Sequence, residues 1–135
     1  MYRVLLVEDE PLILEGLCMA TPWARYGCTV AGKAYNAEEA ERLIVELRPD
    51  IVITDINMPG GSGLELIERM KGRCGCEFII LSGYDQFEYA KKAVFLGVKG
   101  YILKPLDEEE LRTVLESAIR SLEQKRAGAQ PALVY

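Results

Sequence analysis

Histidine is absent from the 135 residues, which removes Ser-His-Asp triads, histidine-ligated zinc and phosphohistidine chemistry from what this chain can do by itself. A basic excess is missing too. The formal net charge is −5 and the lysines and arginines are scattered until the last helix, so the segment lacks the charged surface that nucleic acid requires. No apolar run approaches the length of a membrane span. The start, Met1-Tyr2-Arg3 followed by Val4 to Val7, is too short for a signal peptide and meets acid at once. Cysteine is sparse: Cys18, Cys28, Cys74 and Cys76 have no paired C-x-x-C spacing, and Cys18 sits in an apolar helical pattern. Reduced thiols in a cytosol are the expectation, with Cys74-Gly75-Cys76 in a loop as at most an opportunistic redox pair. Together these absences describe a cytoplasmic segment with no direct contact to nucleic acid or membrane.

Half of the residues are apolar, enough for one ordinary domain to bury a core without staples. They fall into short β-branched runs that alternate with helical periodicity. Val4 to Val7, Thr29 to Gly32, Ile51 to Ile53, Phe78 to Leu81 and Tyr101 to Leu103 read as five strands, the central ones apolar on both faces as buried parallel strands must be. Helices are expected between them. Asn36 with Glu39, Asp85 with Glu88 and Asp107 with Glu110 have the spacing of capping boxes, Glu10-Pro11 opens a first helix, and a third begins near Gly63 after Pro59-Gly60-Gly61-Ser62. Strict alternation with right-handed crossovers predicts an α/β, doubly wound five-stranded parallel sheet of order 2-1-3-4-5 with helices on both faces. The domain is expected over 1–126, with 127–135 a linker or frayed tail.

Ligands of such sheets bind beyond the carboxyl ends of the strands. Strand one ends there in Glu8-Asp9, strand three in Asp55, strand four in Ser82 and strand five in Lys104. Three converging carboxylates repel one another unless a cation neutralises them, and with oxygen donors on offer a hard ion such as magnesium is the natural resident. An aspartate beside a metal and a lysine is a nucleophile suited to phosphorus, and charge neutralisation by those neighbours is most of what phosphoryl transfer needs. Glu8-Asp9-Glu10 alone would be ordinary acids at a helix start. Their coincidence with Asp55 and Lys104 favours a site.

The blocks Leu5-Leu6-Val7-Glu8-Asp9-Glu10, Asp50 through Pro59, Leu81-Ser82-Gly83 and Gly100-Tyr101-Ile102-Leu103-Lys104-Pro105 resemble the signature blocks of response-regulator receiver domains, over about residues 2–125. Ser82 through Ala90 is further similar to receivers that precede an AraC-type DNA-binding domain. The resemblance implies a flavodoxin-like fold, a phosphorylation switch fed by a sensor histidine kinase, and transcriptional output through a domain downstream, with the chain not an enzyme in its own right. It implies Asp55 as phosphoacceptor and a Mg2+ or Mn2+ ion on Asp9, Asp55, the Asn57 backbone carbonyl and, mainly through water, Glu8. Lys104 would pair with the phosphoryl group, Ser82 would bond it after a loop shift, and Tyr101 would turn inward as the switch. The Lys104-Pro105 bond would be cis. A phosphorylation-dependent homodimer through helix 4, strand 5 and helix 5 is a further implication.

Two departures from the family pattern stand out: Glu8 replaces the common first aspartate, and Gly60-Gly61-Ser62-Gly63 is rich in small residues, which predicts a mobile loop. Other readings remain in play. A degenerate receiver would act as a constitutive protein-protein module. A flavodoxin-like electron carrier would need a phosphate loop where Glu8-Asp9-Glu10-Pro11 stands, and a phosphatase would want an acid where Asn57 stands. Trp23 is expected to plug the end of the first helix. Phe87, Tyr89, Val94 and Phe95 beside Lys91 and Lys92 are expected to be about half core.

Overall fold

Along each central strand alternate side chains point to opposite faces of the sheet, and in this protein both sets are apolar. The computed structural model, which describes residues 1–83 and 86–128, places these strands as β1 (Tyr2–Val7), β2 (Cys28–Ala34), β3 (Ile51–Thr54), β4 (Glu77–Ser82) and β5 (Gly100–Leu103). All pair in parallel, in the order β2-β1-β3-β4-β5. Each strand extends one to three residues beyond the expected runs. The expected order is the one observed.

Helices α1 (Pro11–Ala20), α2 (Ala37–Leu47), α3 (Gly63–Met70), α4 (Phe87–Leu96) and α5 (Glu108–Gly128) connect and cover the strands, with a short 3-10 turn over Trp23–Tyr26. One core cluster joins Leu5, Val52, Phe78 and Ile80 to Ile44 of α2 and Leu66 and Ile67 of α3. The other joins Leu6, Ile53, Ile79 and Ile102 to Leu14 of α1 and Leu111 and Leu115 of α5. Each fully buried aliphatic side chain stabilises this arrangement by roughly 1.5–3 kcal/mol relative to exposure. Trp23 belongs to the second cluster, and its Nε1–H donates to the Cys18 carbonyl at 3.1 Å, so it does plug the end of α1.

Helix starts follow local chemistry with some corrections. The Asn36 side chain accepts from the Glu39 N–H at 2.7 Å, while Glu39 reaches back to the Tyr35 N–H at 2.8 Å. The reciprocal box belongs to α3, where Ser62 and Glu65 satisfy each other's main chain. Asp107 accepts from Glu109 at 3.2 Å rather than closing a box with Glu110. Asp85, expected to cap α4, lies outside the described residues; Gln86 holds the cap position without a side-chain bond. On α4 the even division also fails: Ala93 and Leu96 are buried, Tyr89 is half-buried, and Phe87, Val94 and Phe95 are exposed. Helix α5 runs to Gly128, two residues past the expected boundary, and the rest of the expected tail, 129–135, lies outside the described residues.

The last turns of α5 are tied to the lower edge of the sheet. Buried Glu77 at the start of β4 accepts from Ser121 Oγ at 2.6 Å and pairs with Lys125 Nζ at 2.9 Å. Arg126 bonds the Asp50 carboxylate and lies over the Tyr2 ring, 5.8 Å from its centroid. Beside this edge Cys74 and Cys76 are joined in a disulfide, contrary to the expectation of reduced thiols. The turn between α3 and β4 sets their Cα atoms 5.4 Å apart, within the span a disulfide bridges.

The Gly60-Gly61-Ser62-Gly63 run has a steric reason. Gly60 and Gly61 have φ of 82° and 156°, values that side chains resist. A Cβ on Gly63 would lie 1.9 Å from the Asp55 carbonyl oxygen. Gly63→Ala is therefore expected to lower stability by about 1–3 kcal/mol, as overpacking does, measured as a reduced urea midpoint at unchanged slope.

Candidate functional site

Parallel pairing delivers the acids to one place. Val7 of β1 stands opposite Thr54 of β3, and the Asp55 N–H donates to the Val7 carbonyl at 3.0 Å. Glu8 and Asp55 thus leave adjacent strand ends side by side. Across the sheet Ser82 stands opposite Leu103, and the Lys104 N–H donates to the Ser82 carbonyl at 2.9 Å. The Lys104-Pro105 bond is cis, as expected.

Lys104 Nζ reaches back over the rim to both acids, 2.7 Å from Glu8 Oε1 and 3.3 Å from Asp55 Oδ2. The other oxygens have main-chain donors: Ile56 N–H to Asp55 Oδ1 at 2.7 Å, and Glu10 N–H to Glu8 Oε2 at 3.3 Å. The side chains of Glu8 and Asp55 are only 5% and 9% exposed, so water screens this charge poorly. Asp9 is half-buried beside them.

The electrostatics follow from burial. Desolvation pushes the Glu8 carboxyl above its ordinary value; the Lys104 hydrogen bond pulls it back, and the Asp55 charge pushes it up again. Burial lowers the Lys104 ammonium, but the Glu8 hydrogen bond and the charges of Asp55 and Glu8 outweigh it, leaving it above the usual lysine value. The deeper partner bears the net cost. One oxygen each from Glu8, Asp9 and Asp55 lies within 4.8 Å of the others. A cluster of hard oxygen donors, with more negative charge than one lysine neutralises, fits a divalent ion such as magnesium.

The other expected residues are placed less fully. Ser82 is fully buried at the end of β4, next in the sheet to Lys104. Tyr101 is half-buried and packs on the core cluster that includes Ile80. Asn57 is exposed two residues after Asp55. Two contributions carry no side-chain signal and went unread in the sequence: the Ile56 main-chain donor, and the space that Gly63 leaves for the Asp55 carbonyl. A third is the flank of the site, a cleft of about 440 Å³ whose lining includes Leu12, Ile13, Gly16, Lys104, Pro105 and Leu106. Leu12 is 88% exposed; its apolar pattern on α1 signalled a helix without saying which face stays open.

A doubly wound 2-1-3-4-5 sheet with an acid cluster and a lysine on its carboxyl rim defines a class, and residues 4–116 match the response regulator receiver domain. The chain belongs to this family, whose members are signalling domains that bind Mg2+ in an acidic pocket and interact with sensor histidine kinases. Among its relatives, the transcriptional regulatory protein YesN of Bacillus subtilis is 44% identical over 93% of this chain and 34% of its own length. The transcriptional regulatory protein HptR of Staphylococcus aureus is 38% identical over 90% of this chain and 48% of its own. The chain therefore spans a third to a half of the curated relatives it matches. The solved REC domain of AraT, a response regulator from Geobacillus stearothermophilus, superposes with a TM-score of 0.83 at 35% identity, covering 93% of this chain and 98% of that one.

A carboxyl whose folded pKa is raised binds its proton more tightly in the native state, so its contribution to stability falls as pH rises from the unfolded value through the folded one. For Glu8 that fall starts near 4.5. Lys104, also raised, contributes stability present below 10.5 and lost as pH climbs through its folded value. In chelator, urea unfolding of Glu8→Gln is expected to gain on the wild type as pH rises above about 4.5, and magnesium should narrow the gap.

Proposed function

We propose that this chain is the receiver of a two-component transcription regulator and that Asp55 accepts a phosphoryl group from a sensor histidine kinase. The observation that carries this reading is the ion pair of Lys104 with both Glu8 and Asp55 beside the three-carboxylate cluster. Asp55 Oδ2 faces Lys104 while the Ile56 N–H holds Oδ1; Oδ2 is the attacking oxygen. As it bonds phosphorus, the bond from phosphorus to the donor's leaving group breaks. Lys104 then leaves the carboxylates in part and neutralises a phosphoryl oxygen.

Asp9, Asp55, Glu8 and the Asn57 carbonyl would hold the magnesium, which when bound supplies charge neutralisation for the entering phosphoryl group. Ser82, buried beside Lys104, takes a further phosphoryl oxygen, and Tyr101 follows the loop that Ser82 draws in, the two-state element that reports the modification. The chain is thus not an enzyme in the ordinary sense, although the same rim assists gain and loss of its own phosphoryl group. Output is a homodimer through α4, β5 and α5, where Phe87, Val94, Phe95 and Leu103 stand exposed; DNA contact belongs to a domain outside this segment. Kinase docking belongs to the apolar flank around Leu12, beside the opening to Asp55.

Mass spectrometry after incubation with acetyl phosphate and magnesium is expected to find one added phosphoryl group, absent in Asp55→Asn. Lys104→Met should slow the reaction on the order of a hundredfold, the cost of removing a preorganised charge partner. An adduct that persists in Asp55→Asn would overturn the assignment. Leu12→Asp is expected to slow transfer from a phosphorylated kinase while leaving the acetyl phosphate rate unchanged, which separates docking from chemistry.

A further inference from the structure

At the end of the sheet opposite the carboxylate rim, a cavity of about 470 Å³ has Arg48, Arg73, Arg126, Asp50, Cys74 and Gly75 in its lining. Its charge is unbalanced. Three arginines and one aspartate line the cavity, and the aspartate's carboxylate is occupied: Asp50 Oδ2 accepts the Arg3 N–H at 2.7 Å and Oδ1 is bonded by Arg126. Arg48 is fixed at the cavity edge by its role in closing α2, with φ of 49° and its N–H donating to the Ile44 carbonyl at 3.1 Å. Arg48 and Arg73 are exposed side chains, available to a solute.

The same cavity reaches a disulfide asymmetrically. Cys74 is half-buried and lines it, whereas Cys76 is buried against the core and does not. An incoming thiolate therefore meets the Cys74 sulfur first, and Cys76 is the leaving group. Cys76 immediately precedes Glu77, so it stays close to Cys74 after the bond opens.

We propose that Cys74–Cys76 is a thiol-disulfide exchange site for a carboxylate-bearing low-molecular-weight thiol, which Arg48 and Arg73 bind through its carboxylates. The thiolate attacks Cys74 Sγ, forming a mixed disulfide as the Cys74–Cys76 bond breaks and Cys76 departs as thiolate. A second thiolate attacks the small-molecule sulfur of the mixed disulfide and releases Cys74. Two thiols become one disulfide, the protein gains two electrons as a dithiol, and the reverse sequence reoxidises it. This accounts for a disulfide in a chain whose family works where thiols are reduced: the pair follows the thiol pool, and its charge pattern selects which thiol it follows.

The test uses the oxidised full chain and two probes, glutathione as the carboxylate-bearing thiol and cysteamine as a cationic one. Each rate is normalised to that probe's rate with 2-hydroxyethyl disulfide, which cancels intrinsic nucleophilicity. Glutathione is expected to be favoured by about fivefold, the size of one or two partly screened ion pairs. Added salt and the Arg48→Gln/Arg73→Gln double variant should each erase the preference. Trapping and peptide mass mapping should place the mixed disulfide on Cys74. Equal normalised rates for the two probes, a preference that survives in the double variant, an adduct on Cys76, or a chain isolated under air with both thiols free would each overturn the proposal.

Discussion

The salt bridge that Lys104 makes to Glu8 and Asp55 is the constraint around which the upper half of the molecule is organised. Two carboxylates with little exposure could not stand on adjacent strand ends without a counter-charge, and the ammonium that supplies it comes from the far strand β5. Its approach needs β3 and β4 in register between the partners and a chain that turns sharply after Lys104. Every strand from β1 to β5 except the edge strand β2 takes part in holding these groups together. A network of this kind is costly to bury and sensitive to change, because removing one member strands the others in poor solvent.

The fold was legible because its periodicities are clean. Runs such as Ile51 to Ile53 are apolar at every position, as a strand covered on both faces requires, and the capping residue Asn36 marks where helical geometry resumes. The rim was legible for a topological reason: once the strand order is given, the residues that follow β1, β3, β4 and β5 must be neighbours. Other features depend on contacts without a local signature. The Ile56 N–H is the same atom in any sequence, and Gly63 reads as loop softness until the Asp55 carbonyl is placed against it. On α4 an apolar residue signals burial only on average, and Phe87, Val94 and Phe95 depart from the average because, among the described residues, no neighbouring element covers that side of the helix. The cysteines illustrate the converse case, since a spacing that matches no common motif still allowed a bond once the turn after α3 folded back.

The two ends of the sheet carry opposite electrostatic characters. The carboxyl end concentrates acid and draws in cations, whereas the amino end, at the cavity beside α5, presents three arginines against one engaged aspartate. Strand pairing rather than net charge produces this division, because residues entering β3 and β4 share one edge and residues leaving β1 and β3 share the other. A formal charge of −5 conceals it. Opposite charge is thereby presented at opposite poles of one small domain, about the length of a strand apart.

Buried Glu77, gripped by Ser121 and Lys125, gives α5 a mechanical role. The helix is tied near its distal end to the root of β4, with Arg126 as a second fastening on Asp50. The contacts that set the orientation of α5 therefore lie at the amino ends of β3 and β4, a strand's length away from the carboxylate rim.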